Sequence, residues 1–417
     1  MTDNFRPIDF DLAKRLHGHV RVETRDRWTG RVVESQEKEN LVTDAAAKMI
    51  QTAQFGNLNN WVPVYSTLLG GLMLFDNTLT ENASNIYFPS SAKLVGYAGQ
   101  VADSSNTLCG SYNANESIFT SNGFTTVWDF LTSQANGTIA SLARTSHMIK
   151  DNPLFGYSYS GFSFGTSGTS LSSSINVIGY DETNHILYFT VTTDITDSGI
   201  SLNKNTIYKE SIYIDKIGLT SPINAQKAEA VKTLTSSDGT ASAYNWVYDK
   251  YDNNFVYIAS TTIHLVALDG THTTKTATGV SGQRFAVTEN YYWVANGTTL
   301  YRIQKSNTAN IQTYTVQGTN IAPSENDIVY AWPSGFGSTS RVYPDGTVIT
   351  LSAKTASSTQ PFAQSDYKNV GTLFGVRANG TAVYALTNYL GTIANLDSAV
   401  TKTSSQTMKI TYTLTEA

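Results

Sequence analysis

The chain has 417 residues, of which only 15% are charged, and its formal net charge is −5 at pH 7. We therefore expect no nucleic-acid partner, because such proteins carry a basic electrostatic footprint. The 24 Tyr and 17 Phe argue against a disordered chain, which would be poor in aromatic residues. The single cysteine, Cys109, excludes a disulfide within the chain, so stability must come from packing and sheet pairing.

The N-terminal region, residues 1–147, contains no repeats. Its first seven residues lack the apolar segment of a signal peptide, so we expect synthesis in the cytoplasm without export by the Sec pathway. Leu68–Phe75 is the longest apolar run and is far too short to cross a bilayer, so no membrane insertion is expected.

Two hairpins are predicted in this region. His19–Arg25 alternates apolar and polar residues, Asp26–Arg31 has the composition of a turn, and a return strand begins at Val32. Further along, the Asn-Gly pair at 136–137 predicts a second hairpin, with Ala140–Thr145 as the partner of Thr125–Phe130.

About five similar strand-turn-strand units follow in the second half of the chain. Each has a polar turn and then an alternating apolar strand, and the later units recur roughly every 35–45 residues, the blade period of a β-propeller. The units are Tyr180–Tyr188, Tyr248–Tyr257, Glu289–Val294, Glu325–Tyr330 and Gly371–Val376.

The last stretch, Met408–Thr415, is an alternating strand without a repeat partner. Because an isolated strand is unstable, we expect it to pair with the N-terminal domain. The predicted fold is therefore mainly β. A β-rich domain of residues 1–147 plus 395–417 is completed by the C-terminal strand, and a β-propeller of about five or six blades is inserted as residues 148–394.

Several segments resemble virion structural proteins of tailed bacteriophages and prophages. The resemblance implies that the protein assembles into a virion with other virion proteins and with copies of itself, after synthesis in the host bacterial cytoplasm. It does not distinguish tail, neck or head. The segments that carry it are Asn40–Ala45, Gly70–Phe75, Val127–Ile139 and Thr401–Tyr412.

The first predicted hairpin is a candidate docking surface onto the particle. Its basic residues interleave with acidic ones, which is typical either of a solvated face or of an interface rich in Arg and Trp. Trp28, at the predicted tip, would be the anchor. The candidate docking residues are Arg21, Arg25, Arg27, Trp28 and Arg31.

Aromatic residues cluster around the propeller repeats. Blade packing explains such residues, but rings at a surface can also stack on sugars while neighbouring polar groups bond the hydroxyls. The loop from Trp332 to Gly337 is the best single candidate, because its Pro and Gly interrupt a regular strand. The candidate ligand-binding residues are Trp332, Phe336, Trp293, Tyr292 and Trp246.

Catalytic, cofactor and metal motifs are weak throughout the sequence. Asp and Asn at the repeat turns suit turn geometry, with a calcium site as the alternative. No H-E-x-x-H, G-x-S-x-G or phosphate-binding loop occurs, so we predict neither cofactor nor metal, and no enzyme. The leading hypothesis is a virion appendage that binds a host-surface glycan. An architectural head or neck part without a receptor role, and a glycan-degrading propeller enzyme, remain as alternatives.

Overall fold

The computed structural model describes residues 16–44, 46–47, 69–85, 89, 91–99, 105–145, 158–163, 175–181, 183–197, 200–211, 227–240, 243, 246–282, 284–323, 326–333, 339–351, 367–369, 374–377, 382–385 and 390–416. In these residues the protein is almost entirely β, as predicted. They divide into two compact units. One lies within Met1–Phe55, Thr67–Pro153 and Asn388–Ala417, and the other within Leu154–Thr387.

The first unit is a β-barrel built from both ends of the chain. Its strands before the insertion are β1 (Leu16–Asp26), β2 (Val32–Val42), β3 (Gly71–Phe75), β4 (Leu94–Gly99), β5 (Cys109–Tyr112), β6 (Ile118–Thr120), β7 (Gly123–Phe130) and β8 (Gly137–Thr145). Its two strands after the insertion are β31 (Thr392–Lys402) and β32 (Gln406–Glu416).

The last strand closes this barrel. The sheet order is β32-β1-β2-β31-β8-β3-β4-β5-β7-β6, and an additional pairing of β32 with β7 makes a ring of nine strands with β6 outside it. β32 pairs along its whole length with β1, from Leu16↔Glu416 to Asp26↔Gln406. This confirms that the C-terminal strand completes the N-terminal domain.

Alternation along the first and last strands places one face of each strand in the barrel core. Val20 and Val22 of β1 and Met408, Ile410 and Tyr412 of β32 are all buried in a single apolar cluster. Because successive side chains of a strand point to opposite faces, the intervening residues face outward.

The second predicted hairpin is wrong. β7 and β8 do not pair with each other: β7 pairs with β5, β6 and β32, whereas β8 pairs with β3 and β31. The segment between them is held by Gln134, whose side chain accepts a hydrogen bond from the Leu131 amide and donates one to the Cys109 carbonyl. Long-range pairing has thus overridden the local Asn-Gly signal.

The second unit is a β-propeller. Blade 1 consists of β10 (Ile175–Asp181), β11 (Ile186–Val191), β14 (Thr206–Ser211) and β15 (Glu229–Thr233), with a small hairpin of β12 (Ile195–Asp197) and β13 (Ile200–Leu202). Blade 2 consists of β16 (Val247–Asp249), β17 (Asn254–Ala259), β18 (Thr262–Ala267) and β19 (His272–Thr276). A short 3-10 helix, Ser236–Asp238, precedes blade 2.

Three further blades follow. Blade 3 consists of β20 (Arg284–Val287), β21 (Tyr291–Asn296), β22 (Thr299–Gln304) and β23 (Asn307–Thr315). Blade 4 consists of β24 (Asn320–Pro323), β25 (Val329–Trp332), β26 (Thr339–Val342) and β27 (Val348–Leu351). Blade 5 consists of β28 (Tyr367–Asn369), β29 (Phe374–Arg377), β30 (Ala382–Ala385) and β9 (Ser158–Ser163).

The five blades described here form a closed ring. The first strand of each blade packs beside the first strand of the next, and β28 of blade 5 packs beside β10 of blade 1. The outermost strand of blade 5, β9, comes from the start of the insertion, so sheet hydrogen bonds join the two ends of the ring.

The predicted repeats correspond to one position in every blade. In blades 1 to 4 each repeat covers the turn between the first and second strands, for example between β10 and β11. The turn of the fifth repeat lies outside the described residues. The repeat period therefore predicted the blades, and in blades 1 to 4 each repeat lies at the same turn of its blade. We call the propeller face that carries these turns the turn face.

The barrel core should depend on β32. We expect Ile410→Ala, at a fully buried position, to lower the free energy of unfolding of the barrel by about 2–5 kcal/mol because it leaves a cavity. Thr411→Ala, on the outward face of the same strand, should change it by less than about 0.5 kcal/mol. Hydrogen exchange of barrel amides, measured by mass spectrometry in denaturant, reports both values. Equal effects would contradict this role for β32.

Candidate functional site

The turn between β1 and β2 is fixed by one carboxylate. Asp26 accepts hydrogen bonds from the amides of Trp28 and Thr29, at 3.1 and 2.8 Å, and from the Thr29 hydroxyl at 2.9 Å. The Thr29 amide, followed by its hydroxyl, lowers the pKa of Asp26. Gly30 has φ 67°, a left-handed conformation that favours glycine. The turn therefore has one defined conformation.

This turn presents Trp28 to solvent. Its side chain is 79% exposed, and the Arg27 guanidinium carbon lies 4.2 Å from the centre of the indole ring. The Arg27 amide also donates a hydrogen bond to Ser405, in the turn between β31 and β32, at 3.1 Å. An exposed, locally ordered Trp beside Arg has the composition of an interface anchor.

The candidate docking residues separate into two groups. Arg27, Trp28 and Arg31 lie at the turn. Arg21 and Arg25 lie on the outer face of β1, where their guanidinium groups bind opposite oxygens of the buried Glu23 carboxylate at 2.8 and 3.1 Å. The structure therefore brings three of the five predicted residues together and assigns the other two to an ion-pair network along the strand.

Further apolar side chains are exposed at the same end of the barrel. β1 and β7 run toward this end, while β2 and β5 run away from it. We call it the Trp28 end. Apart from Trp28, these residues lie in no sequence motif and were not predicted. The exposed residues here are Trp28, Val32, Val33, Leu108 and Leu131.

The insertion is attached at the opposite end of the barrel. β8 ends at Thr145 and β31 begins at Thr392, and these antiparallel neighbours pair through Arg144↔Thr392. The Gly391 amide donates a hydrogen bond to the Arg144 carbonyl at 2.8 Å. The Trp28 end is therefore free of chain connections to the insertion.

The predicted ligand-binding aromatic residues require a correction. Trp246, Tyr292 and Trp293 are fully buried and Trp332 is nearly so. They pack between and within blades, and the Trp293 indole donates a hydrogen bond to the Thr288 hydroxyl at 3.0 Å. A ring enclosed by a blade offers no face to a sugar, so these four residues belong to the core. Phe336 lies outside the described residues.

Ionic and amide contacts join neighbouring blades at the turn face. The Lys305 ammonium of blade 3 lies 2.5 Å from the Asp249 carboxylate of blade 2, and both side chains are buried. Burial raises the pKa of Asp249, and the Lys305 charge opposes that effect. Between blades 3 and 4, the Asn290 amides donate to the Asp327 carboxylate at 2.9 and 2.7 Å.

The acidic turn residues have the structural role weighed in the sequence analysis. Asp181 accepts hydrogen bonds from the amides of Thr183 and Asn184, both at 3.0 Å. Within the described part of the chain, no group of three or more His, Cys, Asp or Glu side chains is arranged to hold a metal ion. None of the helices described there combines the length and apolar character needed to cross a bilayer.

A histidine pair in blade 2 was not apparent from the sequence. His264 Nδ1 and His272 Nε2 lie 3.2 Å apart in nearly parallel rings. His272 Nδ1 lies 3.9 Å from the Asp238 carboxylate, which also faces Lys232 at 3.7 Å. Burial, and then the neighbouring His272, lowers the pKa of His264.

Comparisons with known proteins assign this chain to no family. No protein-family model and no curated protein sequence matches the chain. A virginiamycin B lyase from Staphylococcus aureus is 11% identical over 70% of this chain and 100% of its own, with a TM-score of 0.30. A gluconolactonase from Xanthomonas campestris is 8% identical over 59% of this chain and 95% of its own, with a TM-score of 0.31. These values assign no activity to this protein.

The contribution of the buried Lys305–Asp249 ion pair to stability can be tested by removing the charge of Lys305. Lys305→Gln should lower the free energy of unfolding of the propeller by about 3–5 kcal/mol, because it leaves the buried Asp249 carboxylate unpaired. The matched control is Lys209→Gln, since Lys209 pairs with Glu229 at 3.2 Å on the surface. There we expect a loss below about 1 kcal/mol. Denaturant titration followed by hydrogen exchange of blade 3 gives the free energy of unfolding of each variant. Similar losses of free energy in the two variants would contradict a stabilising role for the buried pair.

The histidine pair should make the propeller sensitive to acid. The pKa of His264 is lower in the folded state than in the unfolded chain, where it is about 6.5. The unfolded state therefore binds more protons between these values, and stability falls as pH decreases below about 6.5. Between pH 7.5 and pH 5.5 the melting temperature of the His264→Gln variant should fall less than that of the wild type. Identical slopes of melting temperature against pH would exclude His264 as the titrating group, since His272, Asp238 and Lys232 are present in both proteins.

Proposed function

We propose that this protein is a structural component of a tailed-bacteriophage virion, located on the particle as an appendage. Its barrel docks on other virion proteins through the Trp28 end, and its propeller presents a surface for a host-cell glycan. Copies of the chain associate with one another in the assembled particle, as is usual for such parts.

The observation that carries the docking proposal is the exposure of Trp28. Transfer of a large aromatic side chain from water to an interface is favourable, and such residues with Arg dominate the energetics of interfaces. Asp26 fixes the turn before any partner binds, which reduces the ordering cost of association. The neighbouring exposed apolar residues extend the patch.

The position of the two chain connections supports the proposal that the propeller presents a surface for a glycan. Both connections to the insertion leave the barrel at the end opposite Trp28. A particle-bound Trp28 end therefore leaves these connections unobstructed. The glycan assignment rests on the resemblance to virion proteins and on the neutral, hydroxyl- and amide-rich outer strands of the blades, such as β23, Asn307–Thr315.

Docking can be tested with two exposed aromatic residues on the same barrel. Trp28→Ala should reduce incorporation of the protein into particles by about tenfold or more, as expected for an interface hot spot. Phe119→Ala, at a position that is 83% exposed on β6, should leave incorporation unchanged. Quantitative immunoblotting of purified particles measures both, and equal incorporation of the Trp28 variant would overturn docking by this end.

Display can be tested by removing the propeller. Because β8 and β31 are antiparallel neighbours, residues 154–387 of the second unit can be replaced by a short linker, which keeps Leu390, the acceptor of a hydrogen bond from Thr43, in the barrel. Particles that carry this variant should assemble normally and lose adsorption to host cells. Normal adsorption would favour the architectural alternative, and release of reducing ends from host polysaccharide by the intact protein would favour the enzyme.

A further inference from the structure

A partly exposed aromatic and basic cluster lies on one face of blade 3. The Arg302 guanidinium carbon is 4.6 Å from the centre of the Tyr291 ring and 5.5 Å from that of Tyr314. Both Tyr rings are half-buried, unlike the neighbouring Trp293, which is enclosed beneath them. Strand register explains the grouping, because Trp293 and Gln312 pair with Arg302 from either side.

The Arg302 guanidinium is held in place by neutral acceptors. One terminal nitrogen, Nη1, donates to the Pro344 carbonyl of blade 4, and the other, Nη2, donates to the Gln312 side-chain oxygen. The Tyr314 hydroxyl donates to the same Gln312 oxygen at 2.7 Å. A guanidinium has five N–H donors, so donors remain for a bound ligand.

In the described part of the chain the ion pairs join other residues, and none of them contains Arg302. Asp345, in the adjacent blade 4 turn, accepts the Thr347 amide at 2.8 Å. Burial raises the pKa of Tyr314, Arg302 lowers it and Asp345 raises it, so the charge of Asp345 also reaches this cluster. A guanidinium that is fixed beside two aromatic rings and is not ion-paired to a described carboxylate can still bond an anionic ligand.

Hydrogen bonds between blades 3 and 4 hold this cluster in place. Arg302 bridges to the blade 4 turn through Pro344, and Asn290 bridges to Asp327 of blade 4 at the turn face. Because both bridges join the same two blades, the cluster does not need to reorganise when a ligand binds.

We propose that the surface cluster at the junction of blades 3 and 4, centred on Arg302, binds an acidic sugar of the host surface. The acidic group bonds to the remaining donors of the guanidinium, the apolar face of the sugar packs against Tyr314 or Tyr291, and ring hydroxyls bond to Gln312. This inference rests on the proposed function and specifies its ligand class.

The chemistry of the site selects an acidic sugar over a neutral one. A neutral glycan would gain only ordinary hydrogen bonds from Arg302, whereas an anion gains charge-assisted bonds, which are roughly twice as strong. The anionic group can be a sugar carboxylate or a phosphate in a wall polymer. Both meet the same guanidinium, so the ligands used in the experiment must separate them.

The test measures binding of the purified full chain by calorimetry. Three probes suffice: oligogalacturonate, its carboxyl-reduced neutral form, and a poly(glycerol phosphate). We expect binding to at least one of the two anionic probes, and affinity for the neutral form about ten- to a hundredfold weaker than for oligogalacturonate if the acidic group is a carboxylate. Binding should weaken as salt is raised.

Variants test whether the binding depends on the Arg302 cluster. Arg302→Gln should lose about ten- to a hundredfold in affinity for the preferred anion, and Arg302→Lys should also bind more weakly because it lacks the planar fork. Arg284→Gln, the same change of charge elsewhere on blade 3, is the control and should bind normally. Far-ultraviolet circular dichroism and melting curves establish that each variant is folded.

The outcomes separate this inference from the proposed function. Unchanged anion binding by folded Arg302 variants would overturn the site, and equal binding of the neutral probe would overturn the ligand class. Preference for poly(glycerol phosphate) that depends on Arg302 supports the site with phosphate as the anion. Failure of all three probes overturns the inference, whereas the proposed function is decided separately by particle incorporation and adsorption.

Discussion

The rest of the structure depends on the pairing of the last strand with the first. β32 joins β1 along its whole length and also joins β7, so the barrel closes only when the C-terminal residues have returned to the N-terminal ones. Its inward face supplies Met408, Ile410 and Tyr412 to the core. In the same barrel β31 and β8 are neighbours, and the ends of the insertion are thereby held side by side. The insertion can then close on itself through β9 without distorting the barrel.

Charged residues serve different purposes in the two units. In the propeller, buried pairs such as Lys305 with Asp249 satisfy charges that would otherwise be costly between blades. In the barrel, ion pairs such as Arg21 with Glu23 lie along the outer face of β1. Arg27, beside Trp28, and Arg302, beside Tyr291, form no ion pair with a carboxylate of the described residues, and their guanidinium groups instead lie against aromatic rings.

Much of the fold could be predicted from the sequence because its signals are local and repeated. The blade turns recur with the same polar residues, and the alternation of Met408–Thr415 left that strand in need of a partner. The hairpin predicted from the Asn-Gly pair at 136–137 was wrong because turn residues do not show which distant strands will pair with the two flanking strands. The site was harder to predict. The residue type drew attention to Trp246, Trp293 and Trp332, but their burial depends on how the blades pack. Tyr291, Arg302 and Tyr314 come together only through cross-strand register.

The adjacency of β8 and β31 has a consequence for evolution. Strand neighbours of this kind hold their backbones about 5 Å apart, and the entropic cost of a connecting segment rises only slowly with its length. Any domain whose two ends meet could therefore occupy this junction, whatever its size. Recombination at these two positions would exchange the inserted module while the barrel stayed the same. A lineage that carries such a junction can replace one module by another in a single genetic event.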